Sequence, residues 1–231
     1  MKSISAVINA RLESSRVPRK LVRPFAGTTL LEIALAKLDR MNFCEKRYLG
    51  AADAELKSLA SRYESVEILE REGAAVKRGV NPPEVTFAHY LQVPSDYILV
   101  FNPCLPFLTV ETVRRAVEYF HGTEFPSYTS AVPTREWIFD AEGNALTNSD
   151  PRNVTTNIGR VFYKAAHAFH IVNKRFFETY GYFWRFVRHD PHLIEIPEEE
   201  AVDVDSELEF AFAEFRYIKR LEASGGQGGA V

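Results

Sequence analysis

Long hydrophobic runs are absent from this chain of 231 residues. No segment approaches the roughly 20 consecutive apolar residues needed to cross a bilayer. The apolar stretch at the start, which ends at Asn9, is too short for a secretory signal and is typical of a buried first strand. We therefore expect no membrane partner.

Cysteine is scarce, and the two that occur, Cys44 and Cys104, give neither a metal-ligand spacing nor a disulfide framework. This favours a reducing, cytoplasmic location.

A basic excess is also missing, since the formal net charge is -3. Nucleic-acid-binding proteins usually carry a clear basic excess, so we expect no nucleic-acid partner.

What is present is an alternation of strand-like and helix-like hydrophobic periods. Strands are predicted at about 4–9, 48–52, 66–69, 97–101, 166–171 and 192–196, and helices at about 30–38, 53–63, 84–93, 110–120, 173–180 and 207–221. Capping boxes open two of these helices, at Thr29–Glu32 and Ser206–Glu209. The rhythm predicts an α/β fold with a mostly parallel central sheet and helices on both faces.

The sequence shows no internal repeat and no linker, which predicts a single domain over residues 1–222. Residues 133–165 are largely polar and irregular apart from a hairpin around Gly143. We interpret them as an insertion that serves dimer contacts or covers an acceptor. The glycine-rich tail 223–231 is flexible by composition.

A basic loop follows the first strand. It carries four cations and two hydroxyls: Arg11, Ser14, Ser15, Arg16, Arg19 and Lys20. Loops at the carboxyl ends of parallel strands line the ligand crevice, and cations beside small residues suit a polyphosphate. On composition alone, a solvated basic loop is an equally good interpretation.

Two aspartates, Asp203 and Asp205, lie just before the last predicted helix. In extended backbone both side chains point to one side and could share a hard cation such as Mg²⁺. The alternative is that Asp205 only helps the helix to begin and Asp203 is a surface acid.

Residues 10–20 resemble the signature A-R-x-x-S-x-R-x-P-x-K of the sugar cytidylyltransferases, which include the acylneuraminate, Kdo and spore-coat polysaccharide types. The following residues 24–31 resemble P-L-x-G-x-P-L-I of the same family, with Thr29 in place of the second proline. The two aspartates resemble the family's closing I-D-I-D-T-x-x-D. The resemblance spans residues 4–215, and it is strongest at the first loop and weakest in the middle.

The resemblance implies a Rossmann-like nucleotide-diphospho-sugar transferase fold and a homodimer that transfers CMP from CTP to a small acidic acceptor, releasing pyrophosphate. Arg11, Arg16 and Lys20 would be the catalytic residues that hold the triphosphate, and Asp203 and Asp205 would hold Mg²⁺. The implied nucleotide-binding set is Ala10, Arg11, Leu12, Ser15, Lys20, Arg78 and Asn102. For Arg78, a solvated arginine in a turn is nearly as good an interpretation.

The middle of the chain departs from the family. Asn102 replaces a glutamine of the sialic-type motif, and Cys104 stands where Kdo and spore-coat relatives carry an aspartate. No partner base is evident for Cys104, which predicts a packing residue and not a nucleophile.

The acceptor region differs most from that of the relatives. Its cations, Arg135, Arg152, Arg160 and Lys164, could pair with an acidic acceptor. The acceptor is expected to be a nonulosonic acid other than the commonest sialic acid, or a non-sugar phosphate or phosphonate. Two rival functions are a metal-dependent glycosyltransferase, whose acidic pair is expected in mid-chain, and a non-catalytic nucleotide-binding relative.

Overall fold

A computed structural model describes residues 2–76, 81–152 and 154–225. The strands are β1 (Ile4–Asn9), β2 (Pro24–Phe25), β3 (Thr28–Thr29), β4 (Arg47–Ala51), β5 (Val66–Glu70), β6 (Tyr97–Phe101), β7 (Tyr128–Thr134), β8 (Phe162–Asn173) and β9 (His192–Glu195). The α-helices are α1 (Leu30–Asp39), α2 (Ala54–Ala60), α3 (Gly73–Val76), α4 (Pro83–Thr86), α5 (Val110–His121), α6 (Lys174–Tyr180) and α7 (Glu207–Gly225). Short 3₁₀ turns lie at Ala88–Gln92, Thr156–Ile158 and Glu198–Glu200.

Seven strands form the central sheet in the order β5-β4-β1-β6-β8-β7-β9. The strands β5, β4, β1 and β6 are parallel, β8 runs antiparallel to both β6 and β7, and β9 is parallel to β7. The predicted mostly parallel sheet is confirmed. Because β1 lies between β4 and β6, the basic loop that follows it opens at the middle of the sheet's carboxyl edge, where ligands bind in such folds.

Strand β1 shows why helices cover both faces of the sheet. Successive side chains of a strand point to opposite faces. Ala6 and Ile8 enter one buried cluster with Leu35 of α1, whereas Val7 enters a second buried cluster with Phe177 of α6. The prediction of helices on both faces is confirmed.

Three helices begin where their capping residues predict. The hydroxyls of Thr29 and Thr109 each accept the backbone N–H three residues later at 3.1 Å. Ser206 does the same for Glu209 at 3.2 Å, and Glu209 in turn accepts the Asp205 N–H at 2.9 Å. Helix α7 reaches Gly225, beyond the predicted end near Leu221, because no helix-breaking residue precedes that glycine.

Two segments differ from the prediction. The helix predicted over 84–93 is split into α4 and a 3₁₀ turn, because Phe87 leaves the helical region with φ -117° and ψ 16°. Strand β7 was not predicted because small and hydroxyl-bearing residues obscure its periodicity. Within it, buried Ser130 accepts the N–H of Ala168 at 2.9 Å through its hydroxyl, so a polar side chain is satisfied inside the sheet.

The predicted insertion, residues 133–165, overlaps the long connection 135–161, but Pro133 and Thr134 belong to β7 and residues 162–165 belong to β8. Its hairpin is present, since Phe139 bridges Ala145 and Leu146 donates its N–H to Ile138 at 2.8 Å. In the described ranges, none of the helices is both long enough and apolar enough to span a membrane.

Candidate active site

The basic loop and the paired aspartates, at opposite ends of the sequence, meet at the carboxyl edge of the sheet. Lys20 Nζ donates to Asp205 Oδ1 at 3.0 Å and to the Val204 carbonyl at 2.5 Å. Arg16 Nη2 lies 2.8 Å from the same Asp205 oxygen. One carboxylate thus receives two of the predicted phosphate-binding cations.

Cys104 lies between these elements, in the loop after β6. Its carbonyl accepts the Val204 N–H at 3.1 Å, which fixes the aspartate segment against the loop. Burial raises the pKa of the Cys104 thiol to about 11, so the thiol is neutral near pH 7. This supports the prediction that Cys104 packs and is not a nucleophile.

Lys20 is charged at this position. Burial lowers its pKa, but the neighbouring Cys104 and Asp205 more than offset this and hold the pKa above the ordinary lysine value. Because the thiol is neutral, we attribute the electrostatic part of that effect to Asp205.

Asp203 has one side-chain oxygen without a hydrogen-bond partner among the described residues. This oxygen, Oδ1, is buried. Burial, and then the charge of Asp205, raise the pKa of Asp203 to about 6. Mg²⁺ is usually held by one or two carboxylates together with substrate phosphates, so this donor set fits the ion. A ready-made cluster of three or more metal-binding side chains is absent from the described residues.

The start of the basic loop is held by backbone contacts. Ala10 donates its N–H to the Gly50 carbonyl at 2.9 Å, and Leu12 donates its N–H to Asp53 Oδ2 at 3.4 Å. Arg11 and Ser15 are exposed and open to a ligand.

Asn102 and Arg78 complete the predicted nucleotide-binding set. The Asn102 side-chain amide donates to the His167 carbonyl at 3.0 Å and accepts the Cys104 N–H at 2.9 Å. Both hydrogen bonds stabilise the loop after β6. Arg78 lies outside the described residues.

The prediction from sequence missed Arg71, a buried arginine just after β5. Its guanidinium donates to the carbonyls of Ala10 at 3.3 Å, Ala75 at 3.2 Å and Thr86 at 3.2 Å. It therefore ties the first residue of the basic loop to α3 and to the last residue of α4. A charged residue just after a predicted strand of the parallel sheet is the signal that could have found it.

His89 and Asn9 were also missed. His89 Nε2 lies 2.7 Å from Asn9 Oδ1, at the end of β1. Burial, and secondly Arg71, lower the pKa of His89 to about 3, so the ring is neutral at pH 7. The ring approaches Gly50 so closely that a Cβ there would lie 2.9 Å from Nε2, which explains the glycine.

A groove of about 640 Å³ extends from Asp203 across β8. Lys164, which the sequence predicts as an acceptor contact, lines this groove together with His167 and Arg216. His167 has a positive φ of 52°, which turns its backbone within β8.

The other three predicted acceptor cations lie elsewhere. Arg135 and Arg160 are exposed and outside the lining of this groove, and Arg152 is paired with Asp150 at 2.7 Å. The groove also carries four acids, Glu198, Glu199, Asp203 and Glu209, beside the cations Lys164 and Arg216.

A family model described as "Cytidylyltransferase" matches residues 5–216. The chain belongs to the cytidylyltransferase family. This enzyme is therefore a CTP-using nucleotidyltransferase, as the resemblance of the first loop implied. None of the curated proteins matches it significantly in sequence.

Solved structures share the fold of this cytidylyltransferase. CMP:2-keto-3-deoxy-manno-octonic acid synthetase complexed with CTP matches with a TM-score of 0.66 and 11% identity, covering 95% of this chain and 100% of the other. The 4-diphosphocytidyl-2C-methyl-D-erythritol synthase of Anaerococcus prevotii DSM 20548 matches with a TM-score of 0.65 and 14% identity, covering 94% and 96%. At such identities the likeness concerns the fold, and it confirms the predicted fold class.

Proposed function

We propose that the enzyme transfers CMP from CTP to a hydroxyl oxygen of a small acidic acceptor, a nonulosonic or sialic-like sugar acid, and releases pyrophosphate. The observation that carries the proposal is the convergence of Lys20 and Arg16 on Asp205, next to Asp203. Phosphate-binding cations and metal-binding carboxylates then lie together, and Asp203 connects them to a groove that Lys164 also lines.

The triphosphate takes the place of Asp205 as the partner of the two cations. The side chains of Arg16 and Arg11 are exposed and free to move. We assign both of them to the β- and γ-phosphates. Lys20 is held by the Val204 carbonyl, so its ammonium stays fixed and is assigned to the α-phosphate. A fixed cation stabilises the charge that grows in phosphoryl transfer without costly reorganisation.

The reaction needs no protein nucleophile. The acceptor oxygen bonds to the α-phosphorus, the bond from that phosphorus to the bridging oxygen breaks, and pyrophosphate leaves with that oxygen. The acceptor's hydroxyl proton passes to solvent. Asp203 and Asp205 would hold Mg²⁺, which would neutralise phosphate charge and help ionise the acceptor hydroxyl.

The groove next to Asp203 is proposed as the acceptor site. Lys164 and Arg216 supply cations for the acceptor's acidic group, and Glu198 and Glu209 supply acceptors for sugar hydroxyls. Arg135 and Arg160, from the connection between β7 and β8, are proposed to reach the acceptor from outside the groove.

The connection between β7 and β8 is also proposed as the contact of a homodimer. It exposes large apolar side chains, among them Trp137, Phe139, Leu146 and Ile158. Residues 1–222 would form the single domain of each cytoplasmic subunit. Light scattering tests this, because replacing Phe139 and Leu146 by serine should convert the dimer to a monomer.

Pyrophosphate release tests the reaction. The assay contains Mg²⁺, each of the four nucleoside triphosphates in turn, and a panel of acidic sugars together with phosphate and phosphonate acceptors. We expect release with CTP and one sugar acid, lost in Lys20→Ala and kept in Lys46→Ala, whose lysine pairs with Glu67 at 2.5 Å away from the site. Release with a phosphate or phosphonate only would replace the proposed acceptor. Turnover that is unaffected by Lys20→Ala would contradict the proposed site.

A further inference from the structure

Two histidines, His189 and His192, face each other where the chain enters strand β9. Their Nδ1 atoms lie 3.4 Å apart and their ring centroids 5.4 Å apart, so the nitrogens are the parts of the rings that point towards each other. A separation of 3.4 Å is long for a hydrogen bond, which therefore contributes little to the contact. Neither ring takes part in the proposed reaction.

The separation of the two nitrogens fits a shared metal ion. Zinc binds histidine nitrogens at about 2.0–2.1 Å and prefers a tetrahedral arrangement of its ligands. Two nitrogens at that distance from one ion, and at the tetrahedral angle to each other, are about 3.4 Å apart. His189 and His192 hold their Nδ1 atoms at this spacing in the protein itself. An ion can therefore bind to both nitrogens with little movement of either side chain.

The ring of His192 is fixed by its neighbours. It stacks on Phe125, with a centroid distance of 3.7 Å and an angle of 2° between the ring planes. Its Nε2 lies 3.1 Å from the hydroxyl oxygen of Tyr119. Histidines that bind metals usually donate their second ring N–H to an oxygen, which fixes the orientation of the ring and leaves the other nitrogen bare. Tyr119 is therefore the positioning residue of His192.

The turn that carries His189 is also held in place. Val187 and Asp190 exchange backbone hydrogen bonds at 3.2 and 2.9 Å, which closes the turn. The buried Asp190 carboxylate accepts the Ser127 hydroxyl at 2.6 Å and the Arg185 Nε at 2.7 Å. His189 itself has a positive φ of 62°, a strained conformation that the surrounding contacts must maintain. The turn therefore presents an exposed imidazole ring in one conformation.

The two histidines lie away from the proposed Mg²⁺ site. Helix α5 begins directly after the loop that contains Cys104, and Cys104 holds Val204 between the two aspartates. Tyr119 lies near the other end of the same helix, nine residues after its first residue, Val110. Nine residues of α-helix span about 14 Å. The histidines therefore form a separate site at the opposite end of α5.

We propose that His189 and His192 bind a divalent transition metal ion of the Zn²⁺ or Cu²⁺ type through their Nδ1 atoms, with water at the remaining positions. Imidazole nitrogen suits these ions, whereas Mg²⁺ prefers oxygen ligands. A group of three or more metal-binding side chains is absent from the described ranges of the chain, so the site is open and its ion exchangeable. The proposal does not rest on the proposed function.

Zinc binding tests the site. Calorimetry uses the protein without a histidine tag and with Asp203→Asn and Asp205→Asn, which removes the carboxylates proposed for Mg²⁺. We expect one Zn²⁺ per chain with a micromolar Kd. His189→Ala and His192→Phe each remove one ligand, and phenylalanine keeps the stacking on Phe125. Each should weaken binding at least about tenfold, since the loss of an outer partner alone commonly has that effect.

Two further variants separate the pair from other histidines and from a merely structural effect. His121→Phe changes a histidine of α5 outside the pair, so it is the matched control and should bind Zn²⁺ as the parent protein does. Tyr119→Phe keeps both ligands but removes the hydroxyl at His192 Nε2. It should weaken Zn²⁺ binding about tenfold and leave the melting temperature without metal nearly unchanged.

Electron paramagnetic resonance of bound Cu²⁺ counts the nitrogen ligands. At one equivalent of Cu²⁺, the parent protein should show coupling to two imidazole nitrogens, and His189→Ala should show coupling to one. Absence of Zn²⁺ binding at micromolar concentrations, or binding that is unchanged in both His189→Ala and His192→Phe, would overturn the proposal. Neither result would affect the proposed reaction, whose test is pyrophosphate release and its dependence on Lys20.

Discussion

Lys20 Nζ lies 3.0 Å from Asp205 Oδ1, although 185 positions separate the two residues in the chain. The contact joins the basic loop to the paired aspartates in the protein itself, without a ligand. The two side chains differ in burial, since that of Lys20 is 11% exposed and that of Asp205 is 36% exposed. The lysine is therefore the fixed member of the pair, and the carboxylate is the one that can exchange its partners.

Replacing Lys20 should abolish most catalysis without unfolding the protein. Lys20→Ala removes a fixed cation from the proposed α-phosphate position, which should lower kcat at least about 100-fold. The measurement is pyrophosphate release at saturating CTP, with Lys46→Ala as the control for loss of a lysine. Equal rates in the two variants would remove Lys20 from the reaction.

Asp203 and Asp205 should govern the response to divalent metal. Asp203→Asn keeps the size of the side chain but removes its negative charge. The buried, unpaired oxygen of the carboxylate is then replaced by an amide group, which is a weaker ligand for a divalent metal. We expect the Mg²⁺ concentration for half-maximal activity to rise at least about tenfold. Direct Mn²⁺ binding, followed by electron paramagnetic resonance in the presence of CTP, should weaken in parallel.

The matched control for that experiment is Asp53→Asn, a carboxylate that accepts the Leu12 N–H at 3.4 Å and is not a proposed ligand. Metal binding should be unaffected by it. If Asp203→Asn bound Mn²⁺ as the wild type does, the assignment of Asp203 as a ligand would be wrong.

Arg71 should contribute to both stability and nucleotide affinity. Arg71→Leu leaves the carbonyls of Ala10, Ala75 and Thr86 without their donor, which should cost about 2–4 kcal/mol of unfolding free energy. Because Ala10 begins the basic loop, KM for CTP should rise as well. Urea unfolding and steady-state kinetics measure the two effects.

Arg62→Leu provides the comparison for Arg71. Its guanidinium is mostly exposed and pairs only with Glu32 in the described contacts, so its loss should cost less than about 1 kcal/mol. A similar loss of unfolding free energy in both variants would mean that the three hydrogen bonds of Arg71 stabilise the fold no more than one exposed ion pair does.

His89 should make the folded state sensitive to acid. Its pKa is about 3 in the folded protein, against 6.5 for the ordinary side chain, so the unfolded state binds the proton more readily. The stability contributed by the neutral ring is present above pH 6.5 and is lost as the pH falls towards 3. Between pH 7 and pH 5 the loss should be about 2 kcal/mol.

His89→Gln isolates this effect. Glutamine can still donate to Asn9 Oδ1 but does not titrate, so the unfolding free energy of the variant should fall by about 2 kcal/mol less than that of the wild type over that range. Other groups, including Asp203, titrate in both proteins and cancel in the difference. Parallel pH profiles would show that His89 binds its proton as readily in the folded state as in the unfolded state.

Lys164 should act on the acceptor and not on the nucleotide. It lines the groove beside Asp203, whereas no contact relates it to the basic loop in the described residues. Lys164→Ala should raise KM for the acceptor about tenfold or more and leave KM for CTP nearly unchanged. The same measurement on Arg135→Ala and Arg160→Ala decides whether these exposed arginines reach the acceptor.

Local sequence was sufficient for much of the fold. The bounds of β1 and β6 and the caps of α1, α5 and α7 were predicted because they depend on short-range periodicity and on one side chain bonding a nearby N–H. Strand β7 was missed because its buried hydroxyls are satisfied across the sheet, by Ala168 of β8, and not by neighbours in sequence. The strand propensity of a short segment contains no information about a hydrogen-bond partner 38 residues away, such as Ala168 for Ser130.

The sequence by itself determined the chemistry available to this protein: a loop rich in cations after a buried strand, two aspartates before a capped helix, and through them the family. Only the tertiary structure decided which groups meet. It placed Lys20 on Asp205 and Arg71 on the carbonyl of Ala10. The reason is physical: residue type and spacing fix what a short segment can bind, whereas contacts between distant segments follow from strand order and packing, which arise from the whole chain.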